Sequence, residues 1–79
     1  MAAQLEQYGH GVVATARSRL RSTGYTSLDQ IECQFRDGTL ILAGRVGSFY
    51  QKQVAQTVVM DVDGVEQLVN QIEVRKSSH

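Results

Sequence analysis

The chain has 79 residues, 42% of them apolar, with eight basic and eight acidic side chains and neither proline nor tryptophan. That length excludes a second domain, and the apolar share provides one core and excludes intrinsic disorder. A net charge of zero excludes the broad basic field of a general nucleic-acid binder.

The first predicted element is a helix. Leu5, Val12, Val13, Ala16 and Leu20 recur at spacings of three and four, as one buried helical face demands. Gly9 and Gly11 each cost about 1 kcal/mol relative to alanine inside a helix, which predicts a regular helix from near Gly11 with frayed turns before it. Gly24, just past the last periodic residue, suits a left-handed C-cap.

Gln30 to Arg36 follows, with Ile31, Cys33 and Phe35 alternating against Glu32, Gln34 and Arg36, the pattern of a half-buried strand. Asp37-Gly38 suits the two positive φ angles of a type I′ turn. With those two residues as the loop, Phe35 lies opposite Leu40, Cys33 opposite Leu42 and Ile31 opposite Gly44, all on one face. The second strand, Thr39 to Val46, contains the run Leu40-Ile41-Leu42-Ala43. So continuous an apolar strand belongs in the middle of a sheet, where no edge is exposed. Any side chain at Gly44 would project into the core, so this glycine is expected to let the second helix approach the sheet.

Ser48 suits an N-cap, with Gln51 completing a capping box. Val54, Ala55, Val58, Val59 and Val62 form the stripe of a second helix, which Gly64 is expected to end. The last strand, about Glu66 to Arg75, has Leu68, Ile72 and Val74 in one phase. Asn70 shares that phase and is expected to hydrogen-bond backbone near a turn, because a buried amide left unpaired is costly. The tail Lys76 to His79 is expected to be disordered.

The order helix–strand–strand–helix–strand predicts an α+β fold. A strand–helix–strand crossover sets the last strand parallel to the second, while the hairpin is antiparallel. The result is a three-stranded mixed sheet with two helices packed on one face and Ile41, Ala43 and Val69 on the bare one.

The ordered set Asp37-Gly38, Leu42-x-Gly44-x-Val46, Tyr50, Lys52, Ala55 and Gly64-Val65-x-x-Leu68-x-Asn70-x-Ile72-x-Val74 resembles the BON domain. That bacterial module was first noted in osmotic-shock and nodulation proteins. The resemblance runs over about residues 12–75. It implies one BON-like domain over residues 1–79, with flexible ends at 1–9 and 76–79. It also implies a non-catalytic module, without a cofactor, that binds phospholipid or a cell-envelope surface. Such domains often occur in pairs, and this chain carries one copy. The resemblance implies a bacterial protein, periplasmic where the parent carries an export signal and otherwise cytoplasmic. Residues Met1 to His10 lack the features of such a signal.

Arg17, Arg19 and Arg21 are the candidate lipid-binding residues. Residues 1–24 hold these three against Glu6, a net of +2, and residues 25–79 hold five basic and seven acidic groups, a net of −2. Long cationic side chains flanking an apolar stripe suit an anionic membrane surface, and equally a solvated helix end whose dipole they match. Arg17 and Arg21 share one flank at 100° per residue, and Arg19 takes the other. The partners expected are anionic phospholipid or a membrane-associated protein, with no nucleic acid. The alternative is a protein-interaction or self-association module of a larger bacterial assembly, with a weak homo-oligomer, which the two open sheet edges, the bare sheet face and Met60 motivate.

The remaining features favour packing over chemistry. Gly44-Arg45-Val46-Gly47 spells the GxxG of a KH domain, but follows a strand where that loop joins two helices. The N–H groups after Ser48 could hold an anion. Cys33, the one cysteine, cannot form an internal disulfide and is expected to pack inward. His10 and His79 have no second ligand at metal-binding spacing, so no metal site is predicted. Asp61 and Asp63 suit a solvated turn rather than a catalytic pair. Tyr25, Phe49, Tyr50 and Met60 are expected to be partly exposed. No acid–base or nucleophile constellation exists, so no catalytic residue is predicted.

Overall fold

The computed structural model describes the backbone of residues 2–75 and the side chains of residues 11–75. The disorder expected for Lys76 to His79 lies outside the described residues. The elements are helix α1 (Ala2–Ser22), strands β1 (Glu32–Arg36) and β2 (Thr39–Val46), helix α2 (Phe49–Val59) and strand β3 (Gln67–Val74). The sheet order is β1-β2-β3, with β1 antiparallel and β3 parallel to the central β2. The fold is α+β, with the predicted order and topology.

The hairpin has the register that its turn demands. Asp37 at φ 50° and Gly38 at φ 81° form the two-residue loop. Arg36 then faces Thr39, Phe35 faces Leu40 and Cys33 faces Leu42. One face of the sheet is covered: Leu40, Leu42, Val46 and Ile72 are buried against Val12, Ala16 and Leu20 of α1 and Ala55 and Val59 of α2. α1 lies over β1, and α2 over β3.

Several local expectations are corrected. α1 begins at Ala2, not near Gly11. Adding a residue to an existing helix costs little, so two glycine penalties among Ala2, Ala3, Gln4, Leu5, Glu6 and Gln7 do not stop propagation from the packed half. A 3₁₀-helix over Thr26–Gln30 takes in Gln30, which the sequence pattern assigns to the first strand. Its Leu28 is buried, so this short turn closes one end of the core. α2 ends at Val59, five residues before Gly64. The Val62 amide donates to the Val59 carbonyl at 3.2 Å and the Val65 amide to the Val62 carbonyl at 3.1 Å. These tighter turns swing Val62 into the core. Gly64, at φ 97°, serves the loop rather than the helix end.

Gly44 also has a different role from the one expected. A Cβ there would come 2.8 Å from Ile31 Cδ1, so the glycine makes room for Ile31 beside β1, not for α2. Ser48 caps α2 as predicted, accepting from the Gln51 amide at 3.2 Å. The return half of the box is different. Gln51 Oε1 accepts from the Gly47 amide at 3.2 Å and from the Ser27 hydroxyl at 2.8 Å, which joins the 3₁₀-helix to the start of α2.

Candidate functional site

The three arginines of α1 are not equivalent. Positions 17 and 21 lie one turn apart on the same flank, and position 19 lies on the opposite flank. Arg19 turns toward α2. Its guanidinium donates to the Val58 carbonyl at 3.3 Å and forms an ion pair with Asp61. Val58 belongs to the last turn of α2, and the Val62 amide that would complete its carbonyl in a continuing helix bonds the Val59 carbonyl instead. A cation there satisfies one carbonyl and complements the helix dipole. Arg19 is therefore a clasp between the helices, and Asp61 is a partner in an ion pair rather than a merely solvated turn residue.

Because Arg19 marks the flank facing α2, Arg17 and Arg21 occupy the outer flank, beyond β1. Both are exposed, and with Val13, Ala14 and Ser18 they line a shallow surface depression. Neither forms an ion pair with a carboxylate among the described residues. Arg17 lies near enough to Cys33 for its charge to act on the thiol. Burial pushes the Cys33 thiol above its ordinary pKa, and the Arg17 charge opposes that rise. Cys33 is half-buried, less enclosed than expected.

The other family-pattern residues hold the framework. The Gly38 carbonyl accepts from the amides of Glu66 and Gln67 at 2.7 and 3.1 Å, fixing where β3 begins relative to the hairpin turn. Val65 packs against the core at that junction. Asn70 Nδ2 donates to the Lys52 carbonyl at 3.4 Å and to Gln56 Oε1 at 3.3 Å, and Asn70 Oδ1 accepts from the Ile72 amide at 3.1 Å. Asn70 thus bonds backbone, but that of a helix and of its own edge strand rather than a turn. One side chain latches α2 to β3 and occupies an outward-facing N–H of the sheet edge.

Elsewhere, Phe49 and Tyr50 are 71% and 65% exposed at the start of α2, and Met60 is exposed at its end. Tyr25 is half-buried and meets Tyr50 edge-on, with ring centroids 6.4 Å apart. The Gly44–Gly47 segment leads from β2 into α2 and not between two helices. No helix among the described residues is long and apolar enough to cross a membrane. A family model described as BON domain matches residues 11–76. No curated protein matches the chain significantly.

Proposed function

This chain belongs to the BON domain family, and we propose that it is a non-catalytic binding module whose outer α1 flank takes up anionic phospholipid headgroups. The family is one of lipid- and envelope-binding modules, and that is the first support for the reading. The observation that carries it further is the division of labour in α1. Arg19 is engaged within the fold, while Arg17 and Arg21 stand exposed, one turn apart, beside the small side chains of Ala14 and Ser18.

Two guanidinium groups at that spacing suit the phosphates of neighbouring headgroups, since each guanidinium presents several donors in a fixed fork. Basic residues near an anionic surface contribute about 1 kcal/mol each. Two of them give weak attachment from one copy, so useful membrane residence requires several copies or a second contact. The attraction is electrostatic and weakens with salt.

Co-sedimentation with vesicles tests the reading. Binding is expected to phosphatidylglycerol-containing vesicles at low salt and not to vesicles of phosphatidylcholine alone. The double variant Arg17→Glu/Arg21→Glu is expected to lose it while keeping the native circular dichroism spectrum. No binding to anionic vesicles at low salt, or equal binding by the double variant, overturns the reading.

A further inference from the structure

The sheet face opposite the helices carries an arrangement that the lipid reading does not use. Its residues fall in rows set by the strand register. Arg36, Thr39 and Gln67 form one row across the sheet, Gln34, Ile41 and Val69 the next, and Glu32, Ala43 and Gln71 the third. Ile41 and Ala43 are half-buried by their neighbours, and Val69 is 38% exposed with no helix over it. The centre is apolar, the rim is amide-rich, and the two corners on β1 carry opposite charges; a fourth row, beyond Ala43 and Gln71, holds the exposed Arg45–Glu73 ion pair at 3.7 Å.

We propose that this face pairs with the same face of a second copy, about a two-fold axis that runs across the strands through the Gln34–Ile41–Val69 row. Charge complementarity selects that axis. It sets each β1 over the partner's β1 in the opposite direction, so that Arg36 lies over the partner's Glu32 and Glu32 over the partner's Arg36. Ile41 and Val69 then meet their own copies, and Gln67 meets the partner's Gln71. An axis along the strands would set Gln34 over the partner's Val69, leave Arg36 and Glu32 facing amides and set Arg45 over the partner's Arg45. An axis through the Ala43 row would set Glu32 over the partner's Glu32. Stacked sheets lie about 10 Å apart, a gap that an arginine and a glutamate bridge together. Like charges directly opposed are destabilising, and opposite charges or apolar side chains are favourable.

The patch is small. Three strands about 4.8 Å apart and about 20 Å long offer on the order of 300 Å² per copy, well below the roughly 800 Å² per partner of a stable complex. The pairing is therefore weak and concentration-dependent. Its geometry sets both α1 helices, which lie over β1, at the same side of the pair.

Sedimentation equilibrium and amide NMR spectra across a dilution series up to roughly 1 mM test the proposal. The expected result is a monomer–dimer equilibrium, with concentration-dependent shifts centred on Gln34, Ile41 and Val69. Arg36→Glu is expected to weaken pairing by roughly tenfold or more, since two attractions become two repulsions. The swap Glu32→Arg/Arg36→Glu is expected to restore it. Val69→Lys, which places a charge over its own copy, is expected to abolish it. A monomer throughout, shifts centred on Phe49 and Tyr50 instead, or a folded charge swap that fails to restore pairing each overturns the proposal.

Discussion

The Arg19 guanidinium reaches the Val58 carbonyl at 3.3 Å, so a side chain from the last turns of α1 closes the last turn of α2. The same group pairs with Asp61 just beyond that helix. Exposed ion pairs contribute 0.2 to about 1 kcal/mol, and the bond to an otherwise open helix carbonyl adds to this. Arg19→Ala is expected to cost about 1 kcal/mol, lowering the thermal midpoint of a domain this size by roughly 4–8 °C. Arg17→Ala is expected to leave the midpoint nearly unchanged. Equal thermal shifts in the two variants would contradict the separation of roles on α1.

Two glycine substitutions are expected to act with opposite sign. Gly44 sits at φ 147°, and a Cβ there would strike Ile31 Cδ1 at 2.8 Å. Gly44→Ala therefore combines backbone strain with overpacking, for a loss of about 2–4 kcal/mol. Gly11 lies inside α1, and a Cβ there would meet nothing within 4 Å. Gly11→Ala is expected to gain about 0.5–1 kcal/mol through helix propensity and a restricted unfolded chain. Urea unfolding midpoints at unchanged slope measure both.

Asn70→Asp replaces one atom and reverses the latch. The donor to Lys52 O and Gln56 Oε1 becomes an acceptor, so a carboxylate faces two acceptors while the bond from the Ile72 amide survives. A loss of about 1–3 kcal/mol is expected at neutral pH, shrinking as the carboxyl is protonated in acid and can donate again. Urea midpoints for the variant and the parent at pH 7 and pH 4 would show the difference narrowing. A difference that stays constant would mean that the donor at Asn70 does not hold α2 to β3.

The Cys33 thiol supplies a test at high pH. Burial raises its pKa in the folded state, with Arg17 opposing the rise. A group whose folded pKa is raised favours folding while it stays protonated. Its contribution is complete below the ordinary thiol range and is lost as the pH climbs through that range and the higher folded value. Stability is therefore expected to fall at alkaline pH, and less so in Cys33→Ser. Alkylation by iodoacetamide is expected to be slower than for a free thiol. It should slow further in Arg17→Glu, where the charge that lowers the pKa is replaced by one that raises it. Faster alkylation in that variant would show that Arg17 shields the thiol by contact rather than acting on it by charge.

Much of the framework was legible because it rests on local chemistry. Asp37-Gly38 admits the two positive φ angles of a two-residue turn, and the alternation from Ile31 to Leu42 then leaves only one register that buries a whole face. The apolar run in β2 required a central strand, and Ser48 marked the start of α2. Tertiary contacts decided the rest, since they join residues far apart in the chain. Helical phase set Arg19 on the other flank from Arg17 and Arg21, but only the packing of α2 against α1 brings a carbonyl and a carboxylate within its reach. Gln51 could not be paired with Ser27 from spacing, and Gly44 could not be assigned to Ile31 rather than α2. The end of α2 escaped sequence reading for the same reason: the valine stripe runs on to Val62, but β3 begins where the Gly38 carbonyl holds it, and the chain must tighten after Val59 to arrive there. Pattern and turn chemistry are properties of neighbours along the chain and set which faces are buried. Which charged groups remain free for a ligand depends on neighbours in space.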